Sequence, residues 1–157
     1  MFKLTCIDFF FRTIPETFIL IYGIHTISQK SINIHKYILS GLILSILIFF
    51  IRELPIYFGV HTEFSMVATM FTMLFVDIIP LILNIQSTFL IYLMLSLSEF
   101  VNMLILNKAQ VNTDISILEP LIRCLYGIPS LIILILLIIS IKFLLKKRRL
   151  IIRELLN

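Results

Sequence analysis

The feature that most constrains this chain is a series of long apolar segments that carry almost no charge. Five of them can be recognised, and they cover roughly residues 7–28, 37–52, 64–84, 88–106 and 120–143. A helix needs about 20 mostly apolar residues to cross the hydrocarbon core of a bilayer. Hydrophobic residues fill 60% of the 157 positions and charged residues 14%, which is far from the composition of a soluble domain. The pattern therefore predicts an all-α, polytopic transmembrane helical bundle with about five spans.

The first segment leaves the number of spans open. It contains Asp8, Arg12 and Glu16, whose four-residue spacing places them in one stripe on a helix, where they can pair with one another. Such a segment can span the membrane with a charged outer end, or it can lie flat at the membrane interface. We favour a spanning helix, which gives five spans, whereas an interfacial helix would leave four.

Basic residues predict the orientation of the chain. Cytoplasmic loops of membrane proteins are enriched in Lys and Arg, and a basic cluster follows the last apolar segment directly: Lys146, Lys147, Arg148 and Arg149. We therefore expect a multi-pass protein of the cell membrane with a transmembrane domain at residues 1–144 and a basic amphipathic cytoplasmic tail at 145–157. Counting back through five spans places the N-terminus outside.

The same cluster supplies most of the net charge of +4, so the charge is too local for a nucleic-acid-binding surface. The partners that we expect are the lipid bilayer and either another membrane or cytoplasmic protein or a second copy of the chain. The basic residues between the tail's apolar positions would lie over anionic headgroups.

Polar residues follow one face of the third and fourth segments. At helical spacing the third has Ser65, Thr69, Asp77 and Asn84, and the fourth has Thr88, Tyr92, Ser96, Glu99 and Asn102. A short turn near Gln86 and Ser87 would make the two segments an antiparallel hairpin whose polar stripes face each other. Most of these groups are expected to bond across the bundle.

The carboxylates in these stripes carry more information than the hydroxyls. An intramembrane acid costs on the order of 2.5–3.5 kcal/mol, so Asp77 and Glu99, with Asn102 nearby, are expected in the bundle interior. There they would either line a path or fix the register of the helices. Small residues at Gly41 and Ser45, and at Ala68 and Thr72, predict a close approach of the second and third helices.

A five-residue phrase occurs twice, as YGIHT at residues 22–26 and as FGVHT at residues 58–62. In a five-span topology the copies lie on opposite faces of the membrane, so we interpret the repetition as coincidence rather than as an inverted repeat. Before the second copy Pro55 ends a helix, and Gly59 permits a sharp turn. Near the outer surface this predicts a candidate ligand or sensing site formed by Arg52, Glu53, Phe58, Gly59, His61 and Thr62. Of these residues, His61 is the one that we expect to sense pH or to contact a ligand.

Around this stretch the sequence resembles small clostridial-type polytopic membrane proteins. It is also similar to the membrane sensor domain of accessory-gene-regulator-class histidine kinases, which receive secreted peptides. The residues that carry the resemblance are Arg52, Leu54, Pro55, Phe58, Gly59, His61 and Thr62, with Ile14, Pro15 and Glu16 in support. The resemblance covers about the first 110 residues and implies a sensor. The phosphoacceptor helix and ATP-binding domain of such kinases do not occur in this sequence, so a kinase activity would belong to a partner.

Catalytic motifs are lacking. The sequence contains no GxSxG, HExxH, P-loop or CxxC, and its histidines and two cysteines do not have metal-ligand spacing. We therefore expect no catalysis, no metal and no cofactor. Two functions remain. One is a non-catalytic sensory or regulatory membrane module that acts through a partner protein, which we favour. The other is a small oligomeric transporter or pore that uses Asp77 and Glu99.

Overall fold

The computed structural model describes residues 9–54, 58–108 and 120–155. In these ranges the ordered elements are helices, and no strand occurs. A π-helical segment, Phe9–Thr13, leads directly into the first helix. The five α-helices are α1 (Ile14–Ser28), α2 (Ile34–Glu53), α3 (Phe58–Phe75), α4 (Leu81–Lys108) and α5 (Pro120–Leu155). The expected all-α helical bundle is confirmed.

Three helices are long and apolar enough to cross a membrane, over Ile34–Arg52, Leu81–Lys108 and Gly127–Arg148. The bundle is apolar on the outside, where Phe50, Leu93 and Leu136 are each more than half exposed. Its interior contains many buried hydroxyl and amide groups, among them Thr69 and Asn84. A soluble protein has the opposite arrangement, because large exposed apolar surfaces are unfavourable in water. The surface therefore fits a lipid environment.

The helix α1 lies in the centre of the bundle and contacts α2, α4 and α5. Leu20, Ile21 and Ile24 on this helix are almost fully buried, and the absent side chain of Gly23 lets Ile91 of α4 pack against the α1 backbone. The most polar of the apolar segments is thus the most enclosed one. Enclosure by three helices favours a place within the bundle over a flat position at its edge.

The connection between α3 and α4 lies earlier than expected. Because α3 ends at Phe75 and α4 begins at Leu81, residues 64–84 are not one helix, and the turn expected near Gln86 and Ser87 is instead part of α4. Pro80 explains the difference. Proline disfavours helical backbone in the residue before it and is well tolerated at the start of a helix, and the Pro80 carbonyl accepts a 2.9 Å hydrogen bond from Asn84 N. Asp77 consequently lies in the α3–α4 turn rather than on a helix.

The internal pairing expected within the first segment is wrong for the residues that the structure describes. Arg12 Nη2 lies 3.6 Å from Glu99 Oε1 on α4, and Glu16 pairs with Arg52 on α2. Asp8 lies outside the described residues. A stripe of alternating charge can pair along its own helix or across to neighbours, and the central position of α1 supplies partners on both sides.

The close approach predicted by Gly41 and Ser45 involves α1. A Cβ atom on Gly41 would lie 2.6 Å from the ring of Phe18, and Ser45 Oγ lies 2.7 Å from Thr17 Oγ1. The helices α2 and α3 do contact each other, as expected. The predicted contact between the second and third helices is therefore present, while Gly41 and Ser45 themselves pack against α1.

The last helix runs through Pro129 without a break and ends at Leu155. The apolar span and the basic cluster thus belong to one continuous helix. The expectation that the tail continues in helical phase is confirmed as far as Leu155.

Candidate functional site

Charged side chains enter the bundle in two clusters, one near each end of α1. The His25–Asp77 cluster contains His25 in the last turns of α1, Asp77 in the α3–α4 turn and Lys30 just beyond α1. The Arg52–Glu16 cluster joins the first turn of α1 to the last turn of α2. Glu16 and His25 are about 14 Å apart along the helix axis, at a rise of 1.5 Å per residue. The central helix is therefore held by charge at both ends.

The His25–Asp77 pair joins two enclosed side chains. His25 Nε2 lies 3.4 Å from Asp77 Oδ1, and both side chains are 2% exposed. The other ring nitrogen, Nδ1, lies 3.0 Å from the carbonyl oxygen of Ile21. A carbonyl only accepts, so Nδ1 carries a hydrogen. The ring nitrogen Nε2 faces the Asp77 carboxyl group, so the pair joins α1 to the α3–α4 turn inside the bundle.

Lys30 fixes the turn that carries Asp77. Its ammonium donates to the main-chain carbonyls of Asp77 and Ile78, and its backbone N–H donates to His25 O at 3.2 Å. Ile78 has a φ of 53°, in the left-handed region that β-branched residues rarely adopt. Asp77 Oδ2 has no hydrogen-bond partner among the described residues. The turn is thus held firmly while its carboxyl group is only partly satisfied.

The Arg52–Glu16 cluster has the geometry of a strong ion pair. Arg52 Nη2 lies 2.9 Å from Oε1 and 3.0 Å from Oε2 of Glu16, and Nη1 donates to Thr13 Oγ1 at 3.3 Å. The Glu16 side chain is 6% exposed and that of Arg52 is 25% exposed. Breaking an enclosed pair of this kind costs far more than breaking a surface pair, because it leaves one charge without a partner.

Neutral hydrogen bonds join the helices between the two clusters. Thr69 Oγ1 lies 2.8 Å from Tyr92 Oη across the α3–α4 interface, so the two polar stripes face each other at this level, as the sequence suggested. Asn84 Nδ2 donates to the Met70 carbonyl at 2.7 Å, also across this interface. These contacts satisfy polar groups that lipid cannot satisfy.

The candidate sensing residues lie at the α2–α3 end of the bundle, but in a different arrangement from the expected one. His61 Nδ1 lies 2.8 Å from Ile51 O, next to Arg52, and Thr62 is exposed. Gly59 belongs to α3 and does not form the expected turn, because the helix already begins at Phe58. Pro55 and the side-chain surroundings of Glu53 and Phe58 lie outside the described part of the structure.

The intramembrane polar residues do not form one site. Asp77 is buried near one end of the bundle, just before the start of α4 at Leu81. Glu99 lies about 27 Å farther along α4 from Leu81, at 1.5 Å per residue. The expected interior position is wrong for Glu99, whose side chain is 48% exposed and faces Arg12. Arg12 meets this charge at the edge of the bundle, so burial is unnecessary. Asn102 is buried, as expected.

The basic cluster lies on the surface of α5, where Lys146, Lys147 and Arg148 are exposed. The surroundings of the Arg149 side chain lie outside the described residues. In those residues no group of three or more His, Cys, Asp and Glu side chains comes together in a way that could hold a metal ion.

Sequence reasoning missed His25, although a signal was present. An acid within an apolar segment needs a partner or a proton, and His25 is the one histidine that falls inside a predicted apolar segment. Comparisons with protein-family models, with curated proteins and with solved structures gave no significant match. The fold and the clusters define the class on their own: an all-helical protein with three helices suited to a membrane and paired charges in its interior.

Proposed function

We propose that the protein is a multi-pass protein of the cell membrane in which all five helices cross the bilayer. The support for α1 is its enclosure by α2, α4 and α5. The support for α3 is its contact with α2 and α4 and its apolar outer face, where Phe64, Phe71 and Phe75 are exposed. Its 18 residues extend about 27 Å, close to the ~30 Å of the hydrocarbon core.

The proposed orientation places the C-terminus in the cytoplasm. Alternating helices bring Lys30, Lys36 and the basic cluster of α5 to the same end of the bundle. The exposed acids Glu63 and Glu99 lie toward the other end. This asymmetry follows the rule that basic residues collect on the cytoplasmic side.

The function that we propose is non-catalytic sensing or regulation through a partner protein. The observation that carries it is the fixation of the central helix by a paired charge at each end, Glu16 with Arg52 and His25 with Asp77. Enclosed charge pairs add little net stability, but each one costs several kcal/mol to break, so they specify one arrangement. A signal that removes one pair, by protonation or by a ligand at the Arg52 end, would shift the equilibrium toward a second arrangement.

A route for such a shift leads to the tail. The helix α5 contacts α1 inside the bundle and continues past the basic cluster to Leu155. Movement of α1 would therefore change the position of the tail relative to the membrane, and a partner that binds the tail would detect the change.

The rival function is an oligomeric transporter or pore that uses Asp77 and Glu99. The two carboxylates lie near opposite ends of the bundle, and Glu99 is at the edge beside Arg12. They do not line a common path through this chain, so the geometry favours the regulatory function.

The experiment that tests the regulatory function is deletion of residues 150–157, which leaves Lys146 to Arg149 in place. Membrane insertion and orientation should survive, since the basic cluster sets them. We expect cross-linking in intact cells to capture a specific partner with the full-length chain and to lose it with the truncated chain. The variant Leu136→Ala is the matched control, because it alters an exposed apolar position of the same helix and should keep the partner. Identical captures from the truncated and full-length chains would contradict the proposal.

A further inference from the structure

A groove opens on the side of the bundle between α2 and α5. Both helices pack against α1, but they do not contact each other in the part of the chain that the structure describes, so a strip of α1 stays open between them. The groove has a volume of about 240 Å³ and is lined by Phe18, Ile19, Tyr22, Tyr37, Ile135 and Ile138. Pockets for compact small molecules are larger, at roughly 300–1,000 Å³. The volume and the apolar lining instead suit a flexible hydrocarbon chain.

The wall formed by α5 changes from apolar to basic toward the end of the groove. Ile135, Ile138, Lys142 and Lys146 follow one another at intervals of three or four residues, so they share one face of the helix. Lys142 Nζ donates to Tyr22 Oη at 2.9 Å and lies 5.5 Å from the centroid of the Tyr22 ring. Tyr22 thus holds the ammonium at the mouth of the groove. An ammonium has three donors, and Tyr22 engages only one of them.

The opposite wall is formed by α2. Tyr37 lines the groove from the first turn of α2, directly after Lys36, and its hydroxyl donates to Phe18 O at 2.8 Å. The acid described at this end of the bundle is Asp77, which is buried against His25. The described surface around the mouth therefore presents the α5 lysines without an exposed carboxylate beside them.

We propose that this groove binds an anionic phospholipid, with an acyl chain against Phe18 and Ile135 and the phosphate at Lys142 and Lys146. The argument is the match of charge and polarity: an apolar channel leads to a basic mouth near the end of the span Gly127–Arg148, at the depth of the headgroups. A zwitterionic lipid carries its own cation and gains less from the two lysines. The proposal needs the membrane insertion described under "Proposed function" but not the regulatory role.

The test is lipid retention by the purified full-length chain, measured by native mass spectrometry with phosphatidylglycerol or phosphatidylcholine as the probe. We expect Lys142→Gln to weaken phosphatidylglycerol binding about fivefold, the effect of one basic residue near an anionic surface, and to leave phosphatidylcholine binding unchanged. The matched control is Lys147→Gln, which removes the same charge at the same end of α5 but off the groove face. It should change binding less than twofold. Equal losses of phosphatidylglycerol binding in both variants would overturn the proposed site, because they would show a diffuse attraction between the basic helix end and the anionic lipid.

Two further experiments distinguish binding of the acyl chain from binding of the headgroup. Ile135→Trp fills the groove and should abolish retention of the lipid, whereas Leu136→Trp, at the neighbouring exposed position outside the groove, should retain it. Inorganic phosphate should not displace the lipid. Wild-type retention by Ile135→Trp, or displacement by phosphate, would overturn the proposal. Resistance of each variant to alkaline extraction from membranes reports insertion separately, so a failure of the membrane placement is distinguishable from a failure of the lipid site.

Discussion

His25 and Asp77 form a pair in which each side chain is 2% exposed, with 3.4 Å between Nε2 and Oδ1. The pair links the central helix α1 to the α3–α4 turn across 52 residues of sequence. Because Nδ1 of His25 faces the Ile21 carbonyl, Nε2 is the ring nitrogen that contacts Asp77. The link therefore needs both side chains.

Truncation of either partner should destabilise the bundle strongly. We expect Asp77→Ala to lower the free energy of unfolding by on the order of 3 kcal/mol, because an enclosed polar group loses its partner. Asp77→Asn should cost less, since the amide can donate to Nε2. Thermal unfolding in detergent measures both, with the exposed substitution Gln86→Ala as the control. The double variant His25→Ala with Asp77→Ala should be less destabilised than the sum of the single variants. Strict additivity would show that the two side chains are not coupled.

The two arginine pairs should differ in strength. Arg52 pairs with a nearly buried Glu16 at 2.9 Å, whereas Arg12 faces a half-exposed Glu99 at 3.6 Å. We expect Arg52→Ala to cost on the order of 3 kcal/mol and Arg12→Ala no more than about 1 kcal/mol. The same unfolding measurement compares them directly. Equal costs would mean that the Glu16 end of α1 is not held as the geometry indicates.

Two glycines provide a matched test of helix packing. A Cβ atom at Gly41 would lie 2.6 Å from the Phe18 ring, whereas at Gly127 the nearest atom would be Arg12 Nε at 3.6 Å. We expect Gly41→Ala to destabilise the protein by about 1–3 kcal/mol through overpacking. Gly127→Ala should be neutral or stabilising, because alanine favours helix over glycine by about 1 kcal/mol. Denaturation that ranks the variants in the reverse order would place the α1–α2 interface elsewhere.

The sequence predicted the helices better than the contacts between them. Apolar length identified the helices, and the end of α1 at Ser28 agrees with the predicted first segment. The α3–α4 turn was missed because the segment is apolar on both sides of Pro80. The prediction relied on the length of the apolar segment, although Pro80 indicated a break in the helix. Which helix lies in the centre cannot be deduced from hydropathy, since that depends on how five surfaces fit together. The pairings of Glu16 and of His25 depend on that fit.

The candidate site was only partly predictable for the same reason. Asp77 was identified from its cost in an apolar segment, but its partner lies on a helix far away in sequence. Glu99 raised the same expectation and proved to be at the edge of the bundle beside Arg12. A single sequence indicates which charges need partners, and packing decides which of them receive one in the interior.

Ion flux separates the proposed function from its rival. We expect the wild-type chain in liposomes to conduct no ions across an imposed gradient, because Asp77 and Glu99 do not share a path. Glu99→Gln should leave stability almost unchanged, in line with its exposed pair. A wild-type flux that Asp77→Asn and Glu99→Gln abolish, with folding intact, would support the transporter instead.

The central claim is that α1, with its paired charges, lies in the middle of the bundle, and cross-linking tests it most directly. Thr17 Oγ1 of α1 and Ser45 Oγ of α2 are 2.7 Å apart and buried, so cysteines at these positions lie near the separation that a disulfide requires. In a background with Cys6 and Cys124 replaced by serine, we expect Thr17→Cys with Ser45→Cys to cross-link on oxidation in native membranes. Thr17→Cys with Ile46→Cys, whose second position is exposed on the outer face of α2, should not. Failure of the first pair, or equal cross-linking of both, would contradict a central α1.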